Sequence, residues 1–90
     1  MNSTHTEAIA RRGEDHAIVY WRPGCPYCAD LLGGIDLDDE RISLVNIWED
    51  QEAAAFVRTL QDGNETVPTV VVGQTVMTAP SAGELLDALA

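Results

Sequence analysis

Ninety residues make a single domain with one modest core. Fifteen acidic residues against five arginines and no lysine give a formal charge of −10, which excludes the clustered cations that nucleic acids and anionic membrane surfaces require and disfavours strongly anionic small substrates. A hydrophobic content of 46% is that of a globular chain.

The first ten residues hold no apolar signal-peptide core, and no window reaches the length of a membrane span. The expected setting is therefore the cytoplasm, with no membrane partner. There, two cysteines separated by two residues are redox-active or metal-binding more often than structural.

Residues 1–15 are polar, from Asn2-Ser3-Thr4-His5-Thr6 to Arg11-Arg12-Gly13-Glu14-Asp15. They read as a flexible tail with a helical turn near Glu7, ahead of a domain over residues 16–90. Ala17-Ile18-Val19-Tyr20-Trp21 is short, apolar and β-prone, the pattern of a strand covered on both faces. Arg22-Pro23-Gly24 breaks it. A helix is predicted from Cys25 to about Leu32, with Pro26 in the first turn, where a missing N–H costs nothing, and Gly33-Gly34 ending it. After an acidic connector, residues 42–47 form a second strand, parallel to the first because a helical crossover joins them. Asp50-Gln51-Glu52 opens a helix with Ala53, Phe56, Val57 and Leu60 on one face, stopped by Asp62-Gly63-Asn64. Thr69-Val70-Val71-Val72 and Thr75-Val76-Met77-Thr78 make an antiparallel hairpin about Gly73-Gln74. Ser81 and Glu84 make a capping box for a last helix whose buried stripe is Leu85, Leu86 and Leu89. The order β-α-β-α-β-β-α predicts an α/β fold, a four-stranded mixed sheet flanked by about three helices.

Gly24-Cys25-Pro26-Tyr27-Cys28 places Cys25 at a helix N-terminus, where unsatisfied N–H groups and the helix dipole stabilise a thiolate. Arg22, three residues back, is the nearest cation, and Tyr27 can cover the site or pack on a ligand. Cys28, inside the first turn, can attack a mixed disulfide formed on Cys25. The exchange needs no further base, because the thiolate is itself the nucleophile. Other readings of the pair stay open on these residues. Zinc would need His5 and His16 as further ligands, at no recognised spacing. A structural disulfide would close a loop too small to gain much chain entropy, and an iron–sulfur cluster bridged between two chains needs only one cysteine from each. Dithiol redox chemistry is the reading that uses the helix-opening placement, and it needs no metal.

Cys25-Pro26-Tyr27-Cys28 resembles the active site of dithiol glutaredoxins, and Thr66-Val67-Pro68 is similar to their substrate-binding loop. The element order is that of the thioredoxin fold. The runs Asp62-Gly63-Asn64-Glu65-Thr66-Val67-Pro68-Thr69-Val70 and Thr78-Ala79-Pro80-Ser81-Ala82 resemble the glutaredoxin-like mycoredoxins of actinobacteria. The likeness spans residues 17–90. It implies a cis bond before Pro68 and a thiol–disulfide oxidoreductase with no tightly bound cofactor. The implied co-substrate is a low-molecular-weight thiol, mycothiol in mycoredoxins and glutathione in ordinary glutaredoxins, and the implied protein partners carry mixed disulfides. Cys25 would attack, Cys28 would be an optional resolver, Val67 would hold the bound thiol's cysteinyl backbone, and Ser81 and Ala82 would supply N–H groups. A thioredoxin-like dithiol reductant served by a flavoprotein reductase and a non-catalytic cluster-binding protein are the alternatives.

Three positions depart from the pattern. Gly24 stands where these families carry an aromatic residue, which removes a wall of the thiol pocket. Trp21 matches the tryptophan of thioredoxin, which keeps protein disulfides in view as substrates. Glu65 occupies a position that is often basic and contacts a carboxylate of the bound thiol. Like-charge repulsion of about 1 kcal/mol after screening would then favour mycothiol over glutathione.

Overall fold

The apolar run of the first strand is buried on both faces because it lies inside the sheet. In the computed structural model, which describes residues 1–90, strands β1 (Ala17–Trp21), β2 (Ile42–Asn46), β3 (Thr69–Val72) and β4 (Thr75–Thr78) form one sheet in the order β2-β1-β3-β4. β1 runs parallel to β2 and antiparallel to β3, and β3 pairs antiparallel with β4. Around the sheet stand α1 (His5–Ala10), α2 (Pro26–Gly33), α3 (Gln51–Leu60) and α4 (Ala82–Leu89). This is a thioredoxin-like α/β fold with four helices, and no helix is long and apolar enough to cross a membrane.

Side chains alternate across a strand, so β1 feeds two cores. Ile18 and Tyr20 pack with Val45, Ala53 and Val57 on the side of α3, and Ala17 and Val19 pack with Leu31, Leu85 and Leu89 on the side of α2 and α4. The second side is tight. A Cβ on Gly34, just past α2, would come within 2.6 Å of the Ala82 Cβ at the start of α4, so the absent side chain lets the two helix ends meet.

The expected tail is folded instead. Thr4 and Glu7 form a capping box on α1, Ala8 is fully buried in the α3-side core, and Ile9 packs against it. Asn2 bridges to Leu44 on the outer edge of β2, and the Ser3 N–H donates to the Leu44 carbonyl at 2.8 Å. The His5 N–H donates to Asp50 Oδ2 at 2.7 Å, and its ring shares a 2.9 Å hydrogen bond with the buried Tyr20 hydroxyl. The helix is too short to show a 3.6-residue period, and two apolar side chains are all it contributes to the core.

Candidate active site

β1 ends at Trp21, and the turn Arg22-Pro23-Gly24 brings the chain to the mouth of α2. Gly24 has φ +74°, a left-handed conformation that a Cβ disfavours, and the space beside it is open. Backbone conformation therefore accounts for the glycine. Cys25 is the N-cap of α2, and its Sγ accepts the Cys28 N–H at 3.3 Å, as a Ser or Asp oxygen does at other helix starts. Pro26 occupies the first turn.

Both cysteines are free thiols, and their surroundings separate them. Burial pushes the Cys25 thiol up, but hydrogen bonds from the Cys28 thiol and N–H, the Arg22 charge and the Tyr27 N–H outweigh it and hold Cys25 below the ordinary thiol range. Cys28, 1% exposed, is pushed up to about 12 by burial first and by its hydrogen bond to Cys25 second. At neutral pH the pair is thus poised as one thiolate candidate and one stored thiol.

The opposite wall is the Thr66-Val67-Pro68 loop, with a cis Val67–Pro68 bond. Its position is tied down from three sides. Thr69 Oγ1 donates to the Thr66 carbonyl at 2.7 Å, the Ala79 N–H donates to the Pro68 carbonyl at 2.8 Å, and Gln61 Nε2 donates to the Thr69 and Thr78 hydroxyls. The Cys25 thiol lies 3.6 Å from the Val67 carbonyl and donates to it. The Val67 N–H makes no hydrogen bond within the chain. The Val67 carbonyl is thus beside the nucleophile, and the N–H of the same residue is left without a partner in the chain.

Tyr27, 69% exposed, joins Asp30, Pro80, Ser81, Ala82 and Glu84 in an open depression of about 310 Å³. The expected donation from Ser81 meets a competitor there. Its N–H is already taken by Glu84 Oε1 at 2.8 Å in the capping box. The unpaired donors at the mouth of α4 are the N–H groups of Ala82 and Gly83. Glu65 is also differently placed from the free carboxylate expected, since Arg58 Nη1 pairs with it at 2.9 Å. Its charge is offset, although an exposed pair of this kind adds little stability.

Other residues fall outside the cysteine pair or were not legible in advance. His5 packs between Tyr20 and Phe56, and His16 bonds Ser43 Oγ at 2.7 Å, so neither accompanies the two sulfurs. No group of three or more His, Cys, Asp or Glu side chains is placed to hold a metal ion. Trp21 packs on the α2-side core and lines a depression with Asn2, Ser3 and Thr4. Trp48 and Arg58 were missed. Trp48, 64% exposed two residues past β2, stacks under the Arg22 guanidinium. Its sequence signal was an aromatic residue past the C-terminal end of a parallel strand, where ligands of open α/β sheets gather.

The pattern of the Glutaredoxin family matches residues 17–77, which contain both cysteines and the Thr66-Val67-Pro68 loop. Mycoredoxin 1 of Corynebacterium glutamicum is 39% identical over 69 residues, spanning 76% of this chain and 85% of that protein. A putative glutaredoxin of Mycobacterium tuberculosis is 34% identical over 68 residues, spanning 74% of this chain and 81% of that protein.

Proposed function

The chain belongs to the glutaredoxin family and is a thiol–disulfide oxidoreductase, and on that premise we propose that it clears small thiols from protein mixed disulfides in the cytoplasm, with mycothiol as its co-substrate. The observation that carries this reading is the pairing of a Cys25 sulfur at a helix mouth with the Val67 backbone edge 3.6 Å away. The Cys25 thiolate attacks the small-thiol sulfur, forms a Cys25 mixed disulfide and releases the substrate protein as a thiolate. A second small-thiol molecule, as thiolate, attacks that disulfide, leaves as the symmetrical small-thiol disulfide and restores the Cys25 thiolate. The two exchanges balance with the second small-thiol molecule as the reductant, and a flavoprotein reductase fits as the enzyme that recycles the small-thiol disulfide.

Cys28 offers a branch in which its sulfur attacks Cys25 and expels the small thiol. Burial, the largest influence on Cys28, keeps this thiol protonated in the reduced chain, which slows the branch. The Ala82 and Gly83 N–H groups are donors for the acyl end of the bound thiol.

The preference for mycothiol rests on charge. Arg58, the cation beside the Thr66-Val67-Pro68 loop, is occupied by Glu65, and Asp30 and Glu84 edge the depression at α4. The carboxylates of glutathione find no unpaired cation at the loop or at the mouth of α4, whereas an uncharged thiol needs none. Likeness to Mycoredoxin 1 points the same way. Turnover of one protein carrying either a mycothiol or a glutathione mixed disulfide, each with its own thiol as reductant, tests the preference. Mycothiol should be the faster, and faster turnover with glutathione overturns it.

A further inference from the structure

Arg22 and Trp48 leave the ends of two paired strands. The parallel register sets Trp21 against Asn46, and the Ile47 N–H donates to the Trp21 carbonyl at 2.9 Å just beyond. The next residues on the two strands are therefore neighbours. The Trp48 N–H donates to Asn46 Oδ1 at 2.9 Å, which holds the turn that presents the indole. The Arg22 guanidinium carbon lies 5.4 Å from the Trp48 ring centroid, within cation–π range. Trp48 takes no part in either core.

Arg22 has no carboxylate partner. The ion pairs of the chain are Arg41 with Asp39 and Arg58 with Glu65, and the one hydrogen bond of the Arg22 side chain runs from Nη1 to the Pro23 carbonyl at 3.1 Å. An aromatic face fixes a guanidinium without neutralising it.

We propose that Trp48 is a positioning residue for the nucleophile: its indole holds the Arg22 guanidinium at the mouth of α2, where the positive charge stabilises the Cys25 thiolate. The groups around Cys25 are Arg22 from the turn, Cys28 and the Tyr27 N–H from α2, and the neutral Val67 carbonyl from the cis-proline loop. Arg22 is the cation among them, so its placement sets the part of the stabilisation that comes from a full charge, alongside the larger contribution of the Cys28 hydrogen bonds. The mechanism holds for any small thiol, because it concerns the attacking group and not the ligand.

The test is the pH titration of thiolate ultraviolet absorbance in a Cys28→Ser background, where Cys25 is the one thiol left. Trp48→Ala should raise the midpoint by about half a pH unit, and below the midpoint slow alkylation of Cys25 about threefold. Arg22→Gln should do the same, and Trp48→Phe should keep most of the original midpoint. The double variant Arg22→Gln/Trp48→Ala should titrate like Arg22→Gln alone. Thermal melting of each variant separates this effect from loss of the fold, since only the contact with Arg22 predicts rescue by phenylalanine and no further shift in the double variant. An unmoved midpoint in Trp48→Ala overturns the proposal, and so do single shifts that add in the double variant, because independent effects need no contact.

Discussion

At the mouth of α2, Cys25 Sγ accepts a backbone N–H and feels the Arg22 charge. One turn further in, Cys28 is buried, at 1% exposure. The two residues are chemically identical and three positions apart. The N-cap side chain stands outside the helix, over the unpaired N–H groups, whereas a residue in the first turn points back along the helix into its surroundings. One turn of backbone thus separates a group held below the ordinary thiol range from one raised to about 12. The lesson is that a CxxC pair acquires its asymmetry from helix geometry before any cofactor or substrate contributes.

The sharpest way to break that comparison is to remove one sulfur at a time. Cys25→Ser should lose turnover of a mixed disulfide by at least about a thousandfold, since no other nucleophile is placed to replace it. Cys28→Ser should keep most of it, and accumulate no intramolecular disulfide. Loss of activity in Cys28→Ser would show instead that turnover runs through the dithiol, as in a reductant of protein disulfides.

The two sulfurs should also respond to pH with opposite signs. Attack by Cys25 should rise with pH in step with its thiolate and level off below the range of an ordinary thiol. A midpoint at or above that range would mean that burial outweighs the helix and the arginine. In stability, the depressed Cys25 contributes an increment that is complete above its unfolded value and is lost as pH falls through its folded value. The raised Cys28 contributes one that is complete below its unfolded value and is lost as pH rises toward about 12. Urea melts of the reduced protein at neutral and alkaline pH should therefore show a smaller alkaline loss for Cys28→Ser than for the unchanged chain, and a larger one for Cys25→Ser.

Both halves of this site could be read in advance because each is a run of adjacent residues, 25–28 and 66–68. Contacts made between elements could not. The stacking of Arg22 on Trp48 depends on strand register, and the pairing of Arg58 with Glu65 depends on how the turn after α3 folds back. Ser81 is a case of the opposite kind. Its capping box with Glu84 was legible, and that box already implies that its N–H is taken and that the free donors are those of Ala82 and Gly83.

The same box occurs twice, and its two copies make the smallest and most local comparison. Ser81 and Glu84 introduce a helix that buries Leu85 and Leu89 and leaves the expected Leu86 exposed, whereas Thr4 and Glu7 introduce six residues that offer Ala8 and Ile9. The pattern Thr-x-x-Glu was present in the polar stretch that reads as a tail. Without an apolar period behind it, nothing in the sequence said that Ala8 joins the core that holds Tyr20 and Val45. If α1 is part of the folded unit, Thr4→Ala should lower global stability by about 1 kcal/mol, the ordinary worth of an N-cap side chain. The Cys25 titration should stay in place, because α1 packs on the α3-side core and the two sulfurs lie at the start of α2. Equal urea midpoints for Thr4→Ala and the unchanged chain would return residues 1–15 to the status of a tail.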